Sequence, residues 1–410
     1  MPDDPAATPS ELPSLRSPDE AIAAFLARIA PVGTEHLPLS EATGRILAQD
    51  LRTDRPSPAT DVSAMDGFVA RLAQLRPGRS PIAGEVWIGH APPSFPEAGV
   101  LRIVTGAPIP PGADVVFKRE DVREAADSIE ISADAIARTP AGSNIRRQGE
   151  NAAQGVVILD KGRRITPAVA GALSTFGLGR PSVYKRARVA ILTTGDEVLE
   201  PDATPQPWQL RNSNGPALRA LLSQPAWLDV HEQAHAPDDP EAIREFLIRL
   251  TAESDAVFIT GGVSMGDRDF IPKVLQQLGA ETLFHRLPQR PGRPMLGAVT
   301  ERGAIFGLPG NPVSVLVTAR RIACPVLQAM SGVAPAPAAD AMLTLENPSE
   351  KRLDLWWHRP AFRTGPASAR VLETMGSGDV PAVAASDGFI ELPPGESGPG
   401  PWPFFAWSVA

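Results

Sequence analysis

The sequence predicts a multidomain α/β protein built around a mostly parallel sheet. Three observations carry that expectation. Between residues 183 and 330, apolar runs ending in glycine and acid (RVAILTTGDE, DAVFITGGVS, GAIFGLPGNP) alternate with helical segments (NSNGPALRALL, DFIPKVLQQLG, PVSVLVTARRIACPVLQAM). Strands alternating with helices imply βαβ units. Residues 53–142 have a different texture, with short apolar runs (GEVWIG, GVLRIVTG, ADVVFKRE, SIEIS) broken by Pro and Gly, which reads as a separate β-rich domain. The length of 410 residues requires two to four domains, at roughly 100–200 residues each.

Taken in order, residues 1–16 read as a disordered lead-in. SPDEAIAAFLARIAP then opens with a capping box, Ser17 capping and Glu20 reaching back, with Pro18 at the first helical position. Ile22, Phe25, Leu26 and Ile29 follow at helical spacing, and Pro31 is the expected stop. Helical character returns over 143–182, where ITPAVAGALSTFG offers Thr166 as a cap and Gly177 as a terminator. The tail, 331–410, opens on APAPAAD and carries short strand-like pieces (LDLWWHRPAF, ARVLET, GFIELP), as in a small β-barrel or sandwich. The expected division is 1–52 with 143–182 as a discontinuous linking domain, 53–142 inserted, 183–330 α/β, and 331–410 C-terminal.

Composition removes several classes. A net charge of −8 argues against a nucleic-acid binder, which needs a basic face. One cysteine, Cys324, forbids an internal disulfide or a multi-cysteine zinc site, and its apolar neighbours mark it as a buried small hydrophobe. No run approaches the ~18 uninterrupted apolar residues of a membrane span. The acidic, Pro-rich start is unlike a signal peptide, so a cytoplasmic protein is expected. The chain lacks G-x-x-x-x-G-K-[ST], a strand-following G-x-G-x-x-G, H-E-x-x-H and G-x-S-x-G.

In open α/β sheets, ligands bind beyond the carboxyl ends of the strands. Those ends carry TTGDE (193–197), TGGVSMGDRD (260–269) and LPGNPVS (308–314). Gly261, Gly262, Gly266 and Gly310 let backbone approach a ligand, Ser264 adds a hydroxyl, and the following helix N-termini suit a phosphate or another oxyanion. Asp196, Glu197, Asp267 and Asp269 would repel an anion, so a hard cation between them, Mg²⁺, is the expectation. Any one such loop also describes an ordinary strand-to-helix turn with an acidic cap. Downstream, FHRLPQRPGRP places Arg286, Arg290 and Arg293 in a stiff Pro/Gly segment, an expected anion clamp.

Together, SAMDGF (63–68), VTGAPIPPGADVVFKRED (104–121), NIRRQGEN (144–151), ILTTGDEV (191–198), ITGGVSMGDRDF (259–270), RPGRP (290–294) and LPGNPVS (308–314) resemble the MoeA family, the molybdopterin molybdenumtransferases of molybdenum-cofactor synthesis. The resemblance implies an α/β molybdopterin-binding domain, an inserted β domain, a helical linking domain and a C-terminal β-barrel, in a homodimer. It implies adenylated molybdopterin and molybdate as substrates, Mg²⁺ as cofactor, and release of AMP. A molybdopterin adenylyltransferase and molybdoenzyme chaperones are implied partners; nucleic acid and membrane are not.

Residue by residue, the resemblance gives Asp66 and Thr105 a role in positioning substrate or water. Glu197, Asp238 and Asp269 would bind metal and activate water, although Asp238 alone would read as the cap of PEAIREFL. Asn311 and Ser314 would meet an oxyanion, with Arg352 and Ser377 completing a molybdate pocket. The chain departs from the family at Arg286, Arg290 and Arg293, where lysines are common, and at Phe68 in place of Tyr. Those departures leave open a metal-altered paralogue using tungstate, or a non-catalytic protein that binds molybdopterin or scaffolds partners.

Overall fold

The structure is a computed structural model describing residues 15–263, 270–335 and 339–409. The chain divides into two compact units. One comprises Met1–Gln49, Lys161–Ala170 and Arg180–Ala410; the other comprises Asp50–Asp160 and Gly171–Gly179.

In the larger unit, α1 spans Pro18–Leu26, capped by Ser17, whose hydroxyl accepts from the Glu20 N–H at 3.1 Å. Glu20 reaches back one residue further than expected, to the Arg16 N–H at 2.7 Å. The helix stops well before Pro31. Its buried stripe is Pro18, Ala21 and Phe25, while Leu26 is exposed. Phe25 sets that rotation: its ring packs 5.9 Å edge-on from Phe284 and 4.7 Å from Phe306.

The central sheet has six strands: β1 (Ala187–Thr194), β2 (Leu228–Ala236), β3 (Ala256–Thr260), β4 (Glu281–His285), β5 (Leu296–Val299) and β6 (Ala304–Leu308). Their order is β2-β1-β3-β6-β5-β4. The first four are parallel, and β5 and β4 add antiparallel. Helices α2 (Asn214–Leu222), α3 (Pro240–Glu253), α4 (Ile271–Gln277) and α5 (Pro312–Met330) follow β1, β2, β3 and β6. Val189, Ile191, Phe258 and Phe306 pack with α1, α2 and α5 on one face. Ala190, Leu192, Val257 and Ile259 pack with α3 and α4 on the other. Burial on both faces explains why β1, β3 and β6 are continuous apolar runs. The sequence reading missed β2, β4 and β5. β2 is an edge strand, so LDVHEQAHA is only half buried and carries polar residues.

Helix α5 is long and apolar enough, by length and composition, to cross a membrane, which the sequence reading did not anticipate. Most of it is buried inside the unit, so it is a core helix. Cys324 lies within it, 1% exposed, with burial pushing its thiol up to about 12, as an inert small hydrophobe would be. A π-helical turn, Ala319–Ala323, places two buried arginines toward the C-terminal strands.

Those strands are β7 (Ala341–Leu345), β8 (Trp356–Arg363), β9 (Ser368–Val371), β10 (Gly388–Leu392) and β11 (Trp402–Ala406). They pair in the order β8-β9-β7-β11-β10, and β10 returns to β8, closing a five-stranded barrel. Arg321 Nε donates to Glu391 Oε2 at 2.6 Å and one Nη to Asp19 of α1 at 2.8 Å, while His358 Nε2 lies 3.0 Å from the same Glu391 oxygen.

The smaller unit holds a mixed six-stranded sheet in the order Val115–Lys118, Gly67–Ala70, Val100–Ile103, Gly78–Val86, Ser128–Ile131, Arg123–Glu124. Gly67 begins the strand hidden inside SAMDGF; a Cβ there would fall 1.9 Å from the Phe117 carbonyl oxygen. Phe68 is 1% exposed in the core with Phe117 and Ile129. A tyrosine hydroxyl would need a buried partner there, so the Phe in place of Tyr is a packing matter. NIRRQGEN pins the preceding loop: Arg147 pairs with Asp61 at 2.6 Å and the Gln148 N–H donates to Asp61 at 2.8 Å.

Glu391 yields a stability prediction. Burial pushes its carboxyl up, but the hydrogen bond and charge of His358, then those of Arg321, outweigh burial and bring it down to about 2. A depressed carboxylate stabilises the fold above its unfolded pKa, and that contribution is lost as pH falls through the folded value. Glu391→Gln should therefore lower the urea-derived stability near neutrality by about 3 kcal/mol, since the buried Arg321 would keep only the solvent-exposed Asp19 as a charged partner. The gap to wild type should shrink between about pH 4.5 and pH 2.

Candidate active site

Three loops leave the carboxyl ends of β1, β3 and β6, and the structure brings them to one cavity of about 610 Å³. Its wall includes Thr194 and Glu197 from the first loop, Gly261 from the second, and Gly310, Asn311 and Pro312 from the third. Glycine is required at two positions there, Gly261 and Gly195. Gly261 has φ +96°, and a Cβ on it would lie 2.6 Å from Thr194 Oγ1. A Cβ on Gly310 would lie 3.9 Å from Gly261 Cα. Gly195, at φ +130°, leaves the space into which the Glu197 carboxylate folds, 2.8 Å from where its Cβ would be. Gly262, φ +63°, turns the chain beside Ile271 and does not line the cavity.

The acids separate. Glu197 lines the cavity and is exposed to solvent. Asp196 instead accepts the Asp238 N–H at 3.2 Å, tying the first loop to the segment after β2. Asp239, not Asp238, caps α3, accepting the Ala242 N–H at 2.8 Å. Ser264, Gly266, Asp267 and Asp269 lie outside the described residues. Among the described residues no three of His, Cys, Asp and Glu cluster to hold a metal ion.

A second cavity, about 660 Å³, lies on the other side of LPGNPVS. Pro309, Asn311, Val313 and Ser314 line it, and Asn311 lines both cavities. Ser377 lines the second cavity, and its carbonyl accepts the Val313 N–H at 3.0 Å. The cavity is basic: among the described residues, Arg290, Arg293, Lys351 and Arg359 line it against one acid, Glu373.

The arginine segment is only partly a clamp. Gln289 and Arg290 pair in parallel with Trp356 and Trp357, which docks the RPGRP turn on the barrel. Arg290 and Arg293 reach the cavity; Arg286, at φ +84°, is exposed and does not line it. The barrel also differs from expectation. Arg352 donates to the Gly395 carbonyl at 3.2 Å, away from the cavity wall. The barrel cations on the wall are Lys351 and Arg359, which sequence reasoning missed. Arg359 is 7% exposed, stacked 4.5 Å from the Trp357 ring and paired with Glu373 at 3.3 Å. Burial lowers its pKa, an effect that the charge and hydrogen bond of Glu373 oppose. Strand alternation in LDLWWHRPAF puts positions 357 and 359 on one face, a signal that could have found the stack.

In the smaller unit, Asp66 and Thr105 do meet. The Thr105 N–H donates to Asp66 Oδ1 at 2.7 Å and its hydroxyl at 2.8 Å. The backbone bond, then the hydroxyl, then the charge of Arg119 hold the Asp66 carboxyl below its usual range. It is a fixed, ionised carboxylate near neutral pH.

Residues 16–177 match the MoeA N-terminal region, domains I and II, and residues 190–329 match a probable molybdopterin binding domain. The molybdopterin molybdenumtransferase of Synechococcus elongatus is 39% identical over 323 residues, covering 75% of this chain and 79% of that protein. The molybdopterin molybdenumtransferase of Bacillus subtilis is 32% identical over 386 residues, covering 89% and 87%. A solved molybdopterin biosynthesis MoeA protein from Pyrococcus horikoshii OT3 superposes with a TM-score of 0.78 at 26% identity, covering 96% of this chain and all of that one.

Gly261→Ala tests the junction of the loops. It adds a strained φ and a collision with Thr194, and about 2 kcal/mol of stability should be lost. A thermal melt should show that loss, and a melt identical to wild type would mean the loops are not packed as described.

Proposed function

The chain belongs to the MoeA family, and on that premise we propose that it is a molybdopterin molybdenumtransferase, inserting molybdate into adenylated molybdopterin with release of AMP. The observation that carries this reading is the pair of cavities sharing Asn311: one lined by Glu197 and the glycine loops, one lined by cations and hydroxyls.

The glycine-lined cavity takes the adenylated substrate. Gly261 and Gly310 permit close approach to its phosphates, and the N-terminus of α5 favours their charge. Glu197 accepts a proton from the water that attacks the phosphate linkage. The basic cavity takes molybdate, held by Arg290, Arg293 and Arg359, with Ser314 and Ser377 as hydroxyl donors. Arg359 takes the place foreseen for Arg352. Its burial and its stacking on Trp357 favour it, because a fixed fork loses less freedom on binding than an exposed side chain.

Carboxylate donors suit a hard cation. Mg²⁺ is proposed at Glu197 with Asp238 and Asp269, although the described acids do not by themselves assemble a site. When bound it would neutralise phosphate charge. The resemblance alone gives Asp66, fixed by Thr105, a role in positioning substrate or water. A homodimer in the cytoplasm remains part of the proposal, on the resemblance alone.

The test is AMP release from adenylated molybdopterin by the purified chain, followed by chromatography. Molybdate should accelerate release. Equal release with and without it would argue against insertion, and acceleration by tungstate alone would identify the metal-altered paralogue. Glu197→Gln should cut release by about 100-fold, the scale of lost general-base catalysis, while molybdopterin binding survives. Arg290→Ala should raise the molybdate concentration required, and Arg286→Ala, off the wall, should not.

A further inference from the structure

The glycine-lined cavity contains a hydrogen-bond acceptor that the fold does not use. Asn214, at the start of α2, lines it. Its Nδ2 donates to the Gly310 carbonyl at 2.7 Å. That bond fixes which end of the amide is oxygen, since a carbonyl accepts only from the nitrogen. Oδ1 is then buried and has no partner among the described residues. Buried polar atoms are nearly always paired, so an orphan on a residue of the cavity wall calls for a reason.

The wall behind Asn214 is rigid. Asn212, 6% exposed, accepts the Gly215 N–H at 3.0 Å and donates to Thr193 Oγ1 at 3.1 Å. Thr193 Oγ1 in turn lies 3.0 Å from His235 Nδ1. Asn214 itself is held by its bond to the Gly310 carbonyl. The same cavity carries apolar surface with nothing on it: Leu210 is 61% exposed and lines it beside Val198 and Val380. A flat ring with an edge N–H donor fits both features. The ring covers apolar side chains, and the donor satisfies Oδ1.

We propose that Asn214 is a specificity-determining residue that reads the exocyclic amino group of a flat heterocycle. This deepens the reading of the cavity as the substrate site and rests on it. An adenylated pterin carries two such rings, adenine and pterin, and both present an amino group; the shared chemistry is the amine. A carbonyl at the same ring position would set oxygen against oxygen and be rejected. Sites built around a polar pairing discriminate strongly against the analogue that cannot make it.

The experiment compares ring pairs in which that amino group is exchanged for a carbonyl, with a proton gained on the neighbouring ring nitrogen, on the purified full chain, by titration calorimetry: AMP against inosine monophosphate, and pterin against lumazine. Wild type should bind the amino member of one pair roughly tenfold tighter, the scale of one hydrogen bond to a buried acceptor. The pair that shows the preference identifies the ring. Asn214→Ala should abolish that preference, weakening the amino member and relieving the rejection of the carbonyl analogue. Equal binding within both pairs by wild type would overturn the inference with no variant needed, as would an intact preference in Asn214→Ala. If molybdate-dependent AMP release persists while the preference is absent, only the role of Asn214 fails. If none of the four compounds binds wild type, the assignment of this cavity to the substrate fails and takes the inference with it.

Discussion

At Gly261 there is no room for a methyl group beside Thr194, and that closeness organises the carboxyl edge of the sheet. β1 and β3 are neighbours, and their exits must pass within backbone contact of each other before turning. Only a residue without Cβ, free to take positive φ, permits it. Because the second loop lies flat against the first, the third can approach in its turn at Gly310. Three chain segments distant in sequence then form one wall. The chemistry proposed for Glu197 depends on that wall more than on any single contact the carboxylate makes.

The second organising element is electrostatic, on the far side of the LPGNPVS turn. Arg320 and Arg321 are buried on α5, yet neither is a binding group. Arg320 is held by Asp340 and the Ala406 carbonyl, Arg321 by Glu391 and Asp19. A buried cation without a partner would be very costly, and each of these two has a carboxylate to balance its charge. Arg359 is different. It is also buried, but its partner Glu373 has a side chain 90% exposed, where water weakens the attraction. Of these three buried arginines, Arg359 is thus the one with charge to spare for a ligand.

Much of this was legible in the sequence, and the reasons differ by element. The buried strands β1, β3 and β6 announce themselves because both of their faces are covered, so periodicity disappears into an apolar run. The three loops were legible because glycine stabilises neither strand nor helix, so at a strand exit it marks backbone that must turn or approach closely. β2 was illegible because an edge strand keeps polar residues. Motif matching favours the nearest arginine, Arg352, whereas the pleat of β8 decides which side chains share a face, and it brings 357 and 359 to the cavity wall. Asp238 and Asp239 could not be told apart from spacing, since either can precede a helix that begins with proline; only the hydrogen bond to Ala242 distinguishes them.

The LPGNPVS turn is where the loop geometry and the charge meet. Its residues divide between two chambers: Pro309, Val313 and Ser314 face the basic one, Gly310 and Pro312 the glycine-lined one, and Asn311 both. The segment 376–378 repeats the division, Gly376 and Ser377 on one side and Gly378 on the other, and the Val313 N–H bond to Ser377 joins the two segments. Two anions, an oxyanion and a phosphate-bearing substrate, repel in a common space. On the proposed assignment of the two cavities, a partition of backbone with proline on either side of Asn311 would keep them apart while leaving one polar side chain in reach of each. Separation is then a physical requirement of binding both at once, and the shared residue marks where it can be crossed.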